Sequence, residues 1–349
     1  MLVDQLAVDE LRLISKAYRS RSEWVTADEG HEFDSVRTDL ATEARDLAAE
    51  RVGREPDGIA SHEEAGQYAK AVTVKVMTPE AERLTGKRIG TYVTIECPDI
   101  RTSPKAAKDE VAKFLSSSLQ SMLRDLGVMP EDEVLVAGLG NWNATPDAIG
   151  PMVVGKLLVT RHLGTLLPPE KRGGLRSVSA LSPGVLGLTG IETAEIIAAV
   201  VEKTRPKAVV AVDSLAARSI SRIGTSVQIG NTGIHPGSGV GNRRFSITAE
   251  SLGVPVVAVG VPTVVDVTTI VIDVLQAANQ VTDSNLVRLP EDKMRDAVAK
   301  MVGPNVSQMI VTPKEIDVIV EMMSTVVAGG INTALHEALT EDEIYEYLH

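Results

Sequence analysis

Three short, uninterrupted apolar runs constrain this chain more than any other feature. They are VLVA at 134–137, AVVAV at 208–212 and VPVVAV at 254–259. A strand with one wet face alternates polar and apolar residues; these do not, so both of their faces are covered. Strands of that kind belong to parallel sheets flanked by helices. Helical periodicity lies between the runs, at 151–162, from a Thr189–Glu192 capping box to about Lys203, and from a Thr312–Glu315 capping box to Gly329-Gly330. The alternation predicts an α/β fold with a mainly parallel central sheet and helices on both faces. Upstream, strand alternation appears at 71–76 and 92–96, and Ser103-Pro104 opens a predicted helix to about Leu126, with Ser103 as N-cap and Gly127 as its stop.

Composition narrows the function. The 349 residues carry a net charge of −12, with no basic block to grip phosphate backbones, so direct nucleic-acid binding is not expected. Aromatic residues are 3% of the chain, too few for a base-stacking platform. Cys97 is the single cysteine, which removes any intramolecular disulfide framework and fits a reducing compartment. The most apolar stretch, 252–275, is long enough to cross a bilayer, but Pro255, Pro262, Asp266 and Asp273 interrupt it. It reads as a buried strand, a loop and a helix. With no apolar run of signal-peptide type at the N-terminus, a soluble cytoplasmic protein without a membrane partner is expected. The first 69 residues are charged and poor in strand signals; the first 39 hold 9 acidic and 5 basic side chains.

Familiar catalytic motifs are missing. There is no Gly-x-Ser-x-Gly elbow, no His-Glu-x-x-His helix and no phosphate loop. The six histidines are scattered without metal-ligand spacing, and Cys97 reads as structural. What remains is polar residues at strand ends. Asn141 and Asp147 lie in GLGNWNATPDAIGP (138–151), directly after the 134–137 run, and Asp213 directly follows the 208–212 run. Ligands of open parallel sheets sit outside the carboxyl ends of the strands, so the two carboxylates are candidates for one site. Taken singly, Asp147 reads as a helix N-cap or a turn former after Pro146, and Asp213 as the cap of a helix through 216–218. A glycine-rich loop at 231–242, containing His235, reads as a rigid cleft wall rather than a dinucleotide fingerprint.

These blocks resemble the germination protease family of spore-forming bacteria. The resemblance rests on 138–151, PGVLGLTGIET (183–193), AVDSLAARS (211–219), TGIHPGSGVGN (232–242), GVPTVVD (260–266) and VTPKEID (311–317), and runs from about Ser35 to the C-terminus. It implies an α/β fold akin to the hydrogenase maturation peptidases, a homotetramer, and an aspartic-type site unrelated to pepsin, with Asp147 and Asp213 as its catalytic pair and no cofactor. It also implies a zymogen that degrades small acid-soluble spore proteins, which are cut after the acidic residue of a Thr-Glu-(Ile/Phe)-Ala pattern. Thr38-Asp39-Leu40-Ala41 is a near copy. Self-cleavage between Asp39 and Leu40 would divide the chain into a propeptide, 1–39, and a catalytic domain, 40–349. The segment before Ser35 is longer, and the stretch from Leu275 to Pro304 shorter, than the family pattern.

Asn141 or loop backbone N–H groups are candidates for holding an oxyanion, and His235 for a cleft contact. Three alternatives stand beside this reading. Asp39 could instead cap a helix through 40–50, leaving the bond inert. Asp147, Asp213 and His235 could ligate one metal ion in a peptidase of the maturation type. The glycine loops could serve a non-enzymatic anion- or nucleotide-binding protein.

Overall fold

The computed structural model describes residues 38–166, 175–234, 246–282, 294, 297–298, 300–301, 303–307 and 309–348, all within the compact unit Ser35–His349. The expectations for residues 1–37, for His235 and its glycines, and for most of 283–302 fall outside the described residues.

A nine-stranded sheet forms the centre. Its strands are β1 (Ile59–Ala65), β2 (Lys70–Val76), β3 (Gly90–Glu96), β4 (Val134–Gly138), β5 (Val178–Leu181), β6 (Ala208–Ala217), β7 (Ser226–Gly230), β8 (Val256–Asp266) and β9 (Ile310–Val311). The order is β1-β2-β3-β7-β8-β6-β4-β5, with β9 beside β8. The apolar runs form the parallel half, β8, β6, β4 and β5. The other half, β1, β2, β3 and β7, is antiparallel and joins it where β7 meets β8. The sheet is therefore mixed, with the parallel strands on one side of that seam.

Helices cover both faces. On one face, α3 (Lys105–Asp125), α4 (Ile149–Val154) and α7 (Ile316–Leu335) pack Leu115, Leu119, Ile149, Val320 and Val327 onto Val134, Val136, Val210, Val257 and Ile229. On the other, α5 (Thr193–Thr204) lays Ile197 and Val201 on Leu135, Ala137, Val209 and Ala211. Farther along that second face, α1 (Ala41–Val52) and α2 (Pro79–Thr85) cover β2 and β3 through Ala41, Ala81, Val72, Val74 and Tyr92. The chain between these two patches is open to a cleft.

Several local expectations fail for tertiary reasons. Helix α7 does not stop at Gly329-Gly330 but runs to Leu335. It crosses α3 there, where a Cβ on Gly330 would stand 2.9 Å from the Ala112 carbonyl oxygen, so glycine serves close packing rather than termination. Although α7 has the length and composition of a membrane span, two thirds of its apolar window is buried in the protein. Neither predicted capping box forms. The Thr189 hydroxyl is turned onto its own one-turn helix and the Ile191 carbonyl, and the Thr312 hydroxyl donates to the Thr263 carbonyl. Ser103 is not an N-cap, and Pro104 takes that position without a side-chain bond. The 151–162 helix ends at Val154, and beyond it Asn332 of α7 and His336, which follows α7, bind the backbone of Lys156 and Leu158. No loop separates β8 from α6 (Val267–Thr282); instead the Asp266 carboxylate accepts from the Thr268 N–H at their junction. Cys97 directly follows β3, which is paired on both sides, by β2 and β7.

Candidate active site

The cleft holds about 680 Å³ and lies on the second face, over the seam between β7, β8 and β6. Asp147, Asp213 and Asp39 all line it. Asp213 continues β6 beyond the 208–212 run, so its reading as a helix cap is replaced by a strand that extends to Ala217. Its side chain is 7% exposed, and its Oδ1 accepts the Ser214 N–H at 2.8 Å. The register of β6 against β8 shifts between Leu215 and Ala216, next to Pro262, which has no N–H to offer the ladder.

Asp147 ends a 3₁₀ turn, Thr145–Asp147, that follows β4. Two glycines seat this turn. A Cβ on Gly150 would stand 2.2 Å from the Leu139 carbonyl oxygen and 2.5 Å from that of Val212; one on Gly138 would stand 2.2 Å from the Gly150 carbonyl. Only bare backbone lets α4 start against the end of β4 and against Val212 within β6, which brings Asp147 to the end of the strand next to Asp213's. Asn141 does not line the cleft. Its N–H donates to the Asp147 carbonyl at 2.9 Å and its Oδ1 accepts from Asn143, so it braces the loop.

Residues 38–40 precede the helix, with Leu40 extended, and Asp39 lines the cleft. The Asp39 N–H donates to the Ala216 carbonyl at 2.9 Å, and the Ala216 N–H returns a bond to Asp39 Oδ2 at 2.8 Å. Leu40 is fully buried against Leu215 and Ala217, worth about 2 kcal/mol by apolar burial. Helix α1 begins only at Ala41, with no side-chain cap, so Asp39 does not cap it and the Asp39–Leu40 bond precedes the helix. Gln228 of β7 contacts both sides of that bond. Lys87 Nζ donates to the Thr38 carbonyl at 3.1 Å; burial pulls its pKa down, against the Asp39 and Glu43 carboxylates, which hold it up. The buried Glu43 carboxylate accepts from the Thr38 hydroxyl and from the Arg218 and Ser219 N–H groups.

Gln228, Lys87 and Glu43 went unnoticed in the sequence. Gln228 left one trace: in SVQIG it is the polar residue between two buried apolar ones. Among the described residues, no three His, Cys, Asp or Glu side chains group as a metal site. Cys97 is buried away from the cleft; burial pushes its thiol pKa up, helped by Asp99 and Glu110. Cys97→Ser is expected to leave turnover unchanged and to cost about 1 kcal/mol of stability for the buried hydroxyl, read by a kinetic assay and thermal melting.

The fold and cleft define a mixed α/β protein whose acidic side chains gather in one cleft over its parallel strands. Comparison with known proteins makes the assignment specific. The sequence model for germination protease matches residues 37–283 and 276–348. The germination protease of Caldanaerobacter subterraneus subsp. tengcongensis is 44% identical over 324 residues, covering 90% of this chain and 98% of the relative. That of Clostridium tetani is 42% identical over 325 residues, covering 90% of this chain and 100% of the relative. The chain belongs to the germination protease family, and it is a peptidase. Among solved structures, the NiFe hydrogenase maturation protease HycI from Thermococcus kodakarensis KOD1 aligns at 16% identity with a TM-score of 0.31, over 61% of this chain and 98% of that one. At that score the fold is read from the strand order itself.

Proposed function

We propose that this chain is an aspartic-type endopeptidase, made as a zymogen, that cuts its own Asp39–Leu40 bond and then degrades small acid-soluble spore proteins. Asp147 and Asp213 are its acid–base pair, and residues 1–39 its propeptide. The observation that carries this reading is the seating of Asp39: within a segment that has the substrate pattern, it lines the same cleft as the two aspartates and is tied to Ala216. The germination setting, a spore-core location and a homotetrameric assembly belong to the same proposal through the family.

The chemistry needs unequal protonation. One carboxylate is ionised and takes a proton from water; the other holds a proton for the leaving nitrogen. Neighbouring carboxylates reach that state because ionising the first opposes ionising the second. A peptide carrying Thr-Glu-Ile-Ala, incubated with the processed chain, is expected to be cut between Glu and Ile, and equally fast after exhaustive chelation. Activity that disappears on metal stripping and returns with added metal would transfer the site to metal-assisted hydrolysis.

A further inference from the structure

Gln228 spans the Asp39–Leu40 peptide bond. Its Oε1 accepts from the Ala41 N–H at 2.6 Å, and its Nε2 donates to the Asp39 carbonyl oxygen at 2.8 Å. The partners force this orientation. A backbone N–H only donates and a carbonyl only accepts, so a flipped amide would oppose donor to donor and acceptor to acceptor. The carbonyl it holds is the one that becomes tetrahedral when the bond to Leu40 is hydrolysed.

The sheet register sets this amide opposite Asp213. Gly260 of β8 pairs with Gln228 on one side and with Asp213 on the other. Residues aligned across neighbouring strands present their side chains to one face, and the outer two strands here are about 10 Å apart. Gly260 puts no side chain between them, and Leu215 folds over it, its Cγ 2.5 Å from where a Cβ would stand. The result is an apolar floor with a carboxylate on one side and an amide on the other. Lys87 grips the preceding carbonyl, that of Thr38, so two successive carbonyls of the segment are held by side-chain donors.

We propose that Gln228 is a catalytic residue whose side-chain amide binds the carbonyl oxygen of the bond to be cut and stabilises the oxyanion formed there. The inference rests on reading Asp39–Leu40 as the scissile bond. Water oxygen bonds to the Asp39 carbonyl carbon, the carbonyl π pair moves onto oxygen, and the water proton passes to the ionised aspartate. Collapse breaks the C–N bond as the protonated aspartate gives its proton to the Leu40 nitrogen. The products are a carboxyl group on Asp39 and an amine on Leu40. Gln228 gains and loses no proton; it supplies a preorganised donor aimed at the oxygen on which charge develops. The competing role is structural: the Ala41 N–H is a first-turn donor of α1, and the amide simply satisfies it.

The full-length chain tests this by timed N-terminal sequencing of wild type, Gln228→Met and Gln228→Glu, with thermal melting alongside. Gln228→Met keeps the shape and loses the donor, so the Leu40 N-terminus is expected to appear roughly 10²–10³-fold more slowly. Gln228→Glu is expected to be slow at neutral pH and to recover relative to wild type at each lower pH, as its protonated carboxyl donates again. A structural role gives losses that follow melting temperature and a constant ratio across pH; either that pattern or unimpaired processing by Gln228→Met overturns the proposal alone. A wild-type chain never cut at Asp39–Leu40 overturns the bond assignment and the proposal together.

Discussion

Asp213→Asn is expected to lower turnover on a spore-protein substrate by roughly 10²–10⁴-fold while the protein stays folded, the range for removing a positioned acid–base group. The fold argument is specific. Asparagine is isosteric, and its Oδ1 can still accept the Ser214 N–H that Asp213 now takes at 2.8 Å. What it cannot do is ionise or carry an acidic proton. Asp147→Asn is expected to match it: the substitution is isosteric and leaves in place the Asp147 backbone carbonyl, which accepts from the Asn141 N–H. Melting temperatures should stay within about 2 °C of wild type. Two separate losses of similar size, with a double variant scarcely worse than either, are the signature of groups that act as one unit. A folded Asp213→Asn chain with near-wild-type turnover would remove Asp213 from the pair.

The second large effect concerns Asp39. Its carboxylate accepts the Ala216 N–H while its own N–H donates to the Ala216 carbonyl. A charge-assisted bond of this kind contributes about 1.5–3 kcal/mol. Asp39→Ala removes it and is expected to slow release of the N-terminal segment by about 10- to 100-fold, the same energy expressed as a rate. Leu40 still fills the space against Leu215 and Ala217, so the segment stays in the cleft and the loss falls on register. Intact mass and the new N-terminus read the result. Processing of Asp39→Ala at the same bond and rate as wild type would show that the acidic residue is not recognised. A chain that stays full length yet cuts an added peptide would show that the segment is a substrate and not a necessary lock.

The parallel half of the sheet was legible because its signal is local. A strand buried on both faces must be apolar at every position, and β4, β6 and β8 are read directly from 134–137, 208–212 and 254–259. The ends of two of those strands pointed to Asp147 and Asp213 by the same logic. The motifs, being long and ordered, named the family. The antiparallel half was harder: β1 has one buried residue in seven and β7 only five residues, so neither stands out.

Capping boxes, the Ser103 cap and the Gly329-Gly330 stop were read from local patterns, and two of them were overridden by partners distant in sequence. Thr312 gives its hydroxyl to Thr263, and Gly330 meets Ala112. The importance of Gln228 is nonlocal in the same way. It arises because β7 and β6 flank β8 in register at Gly260, bringing residues 228 and 213 to one face, and because residue 39 is tied both to Gln228 and to Ala216 of β6. Hydrophobic periodicity and motif order are written along the chain, so the sequence alone determined the α/β class, the family and the two candidate aspartates. Register between strands depends on which strands become neighbours, and only the tertiary structure decided what faces those aspartates across the cleft.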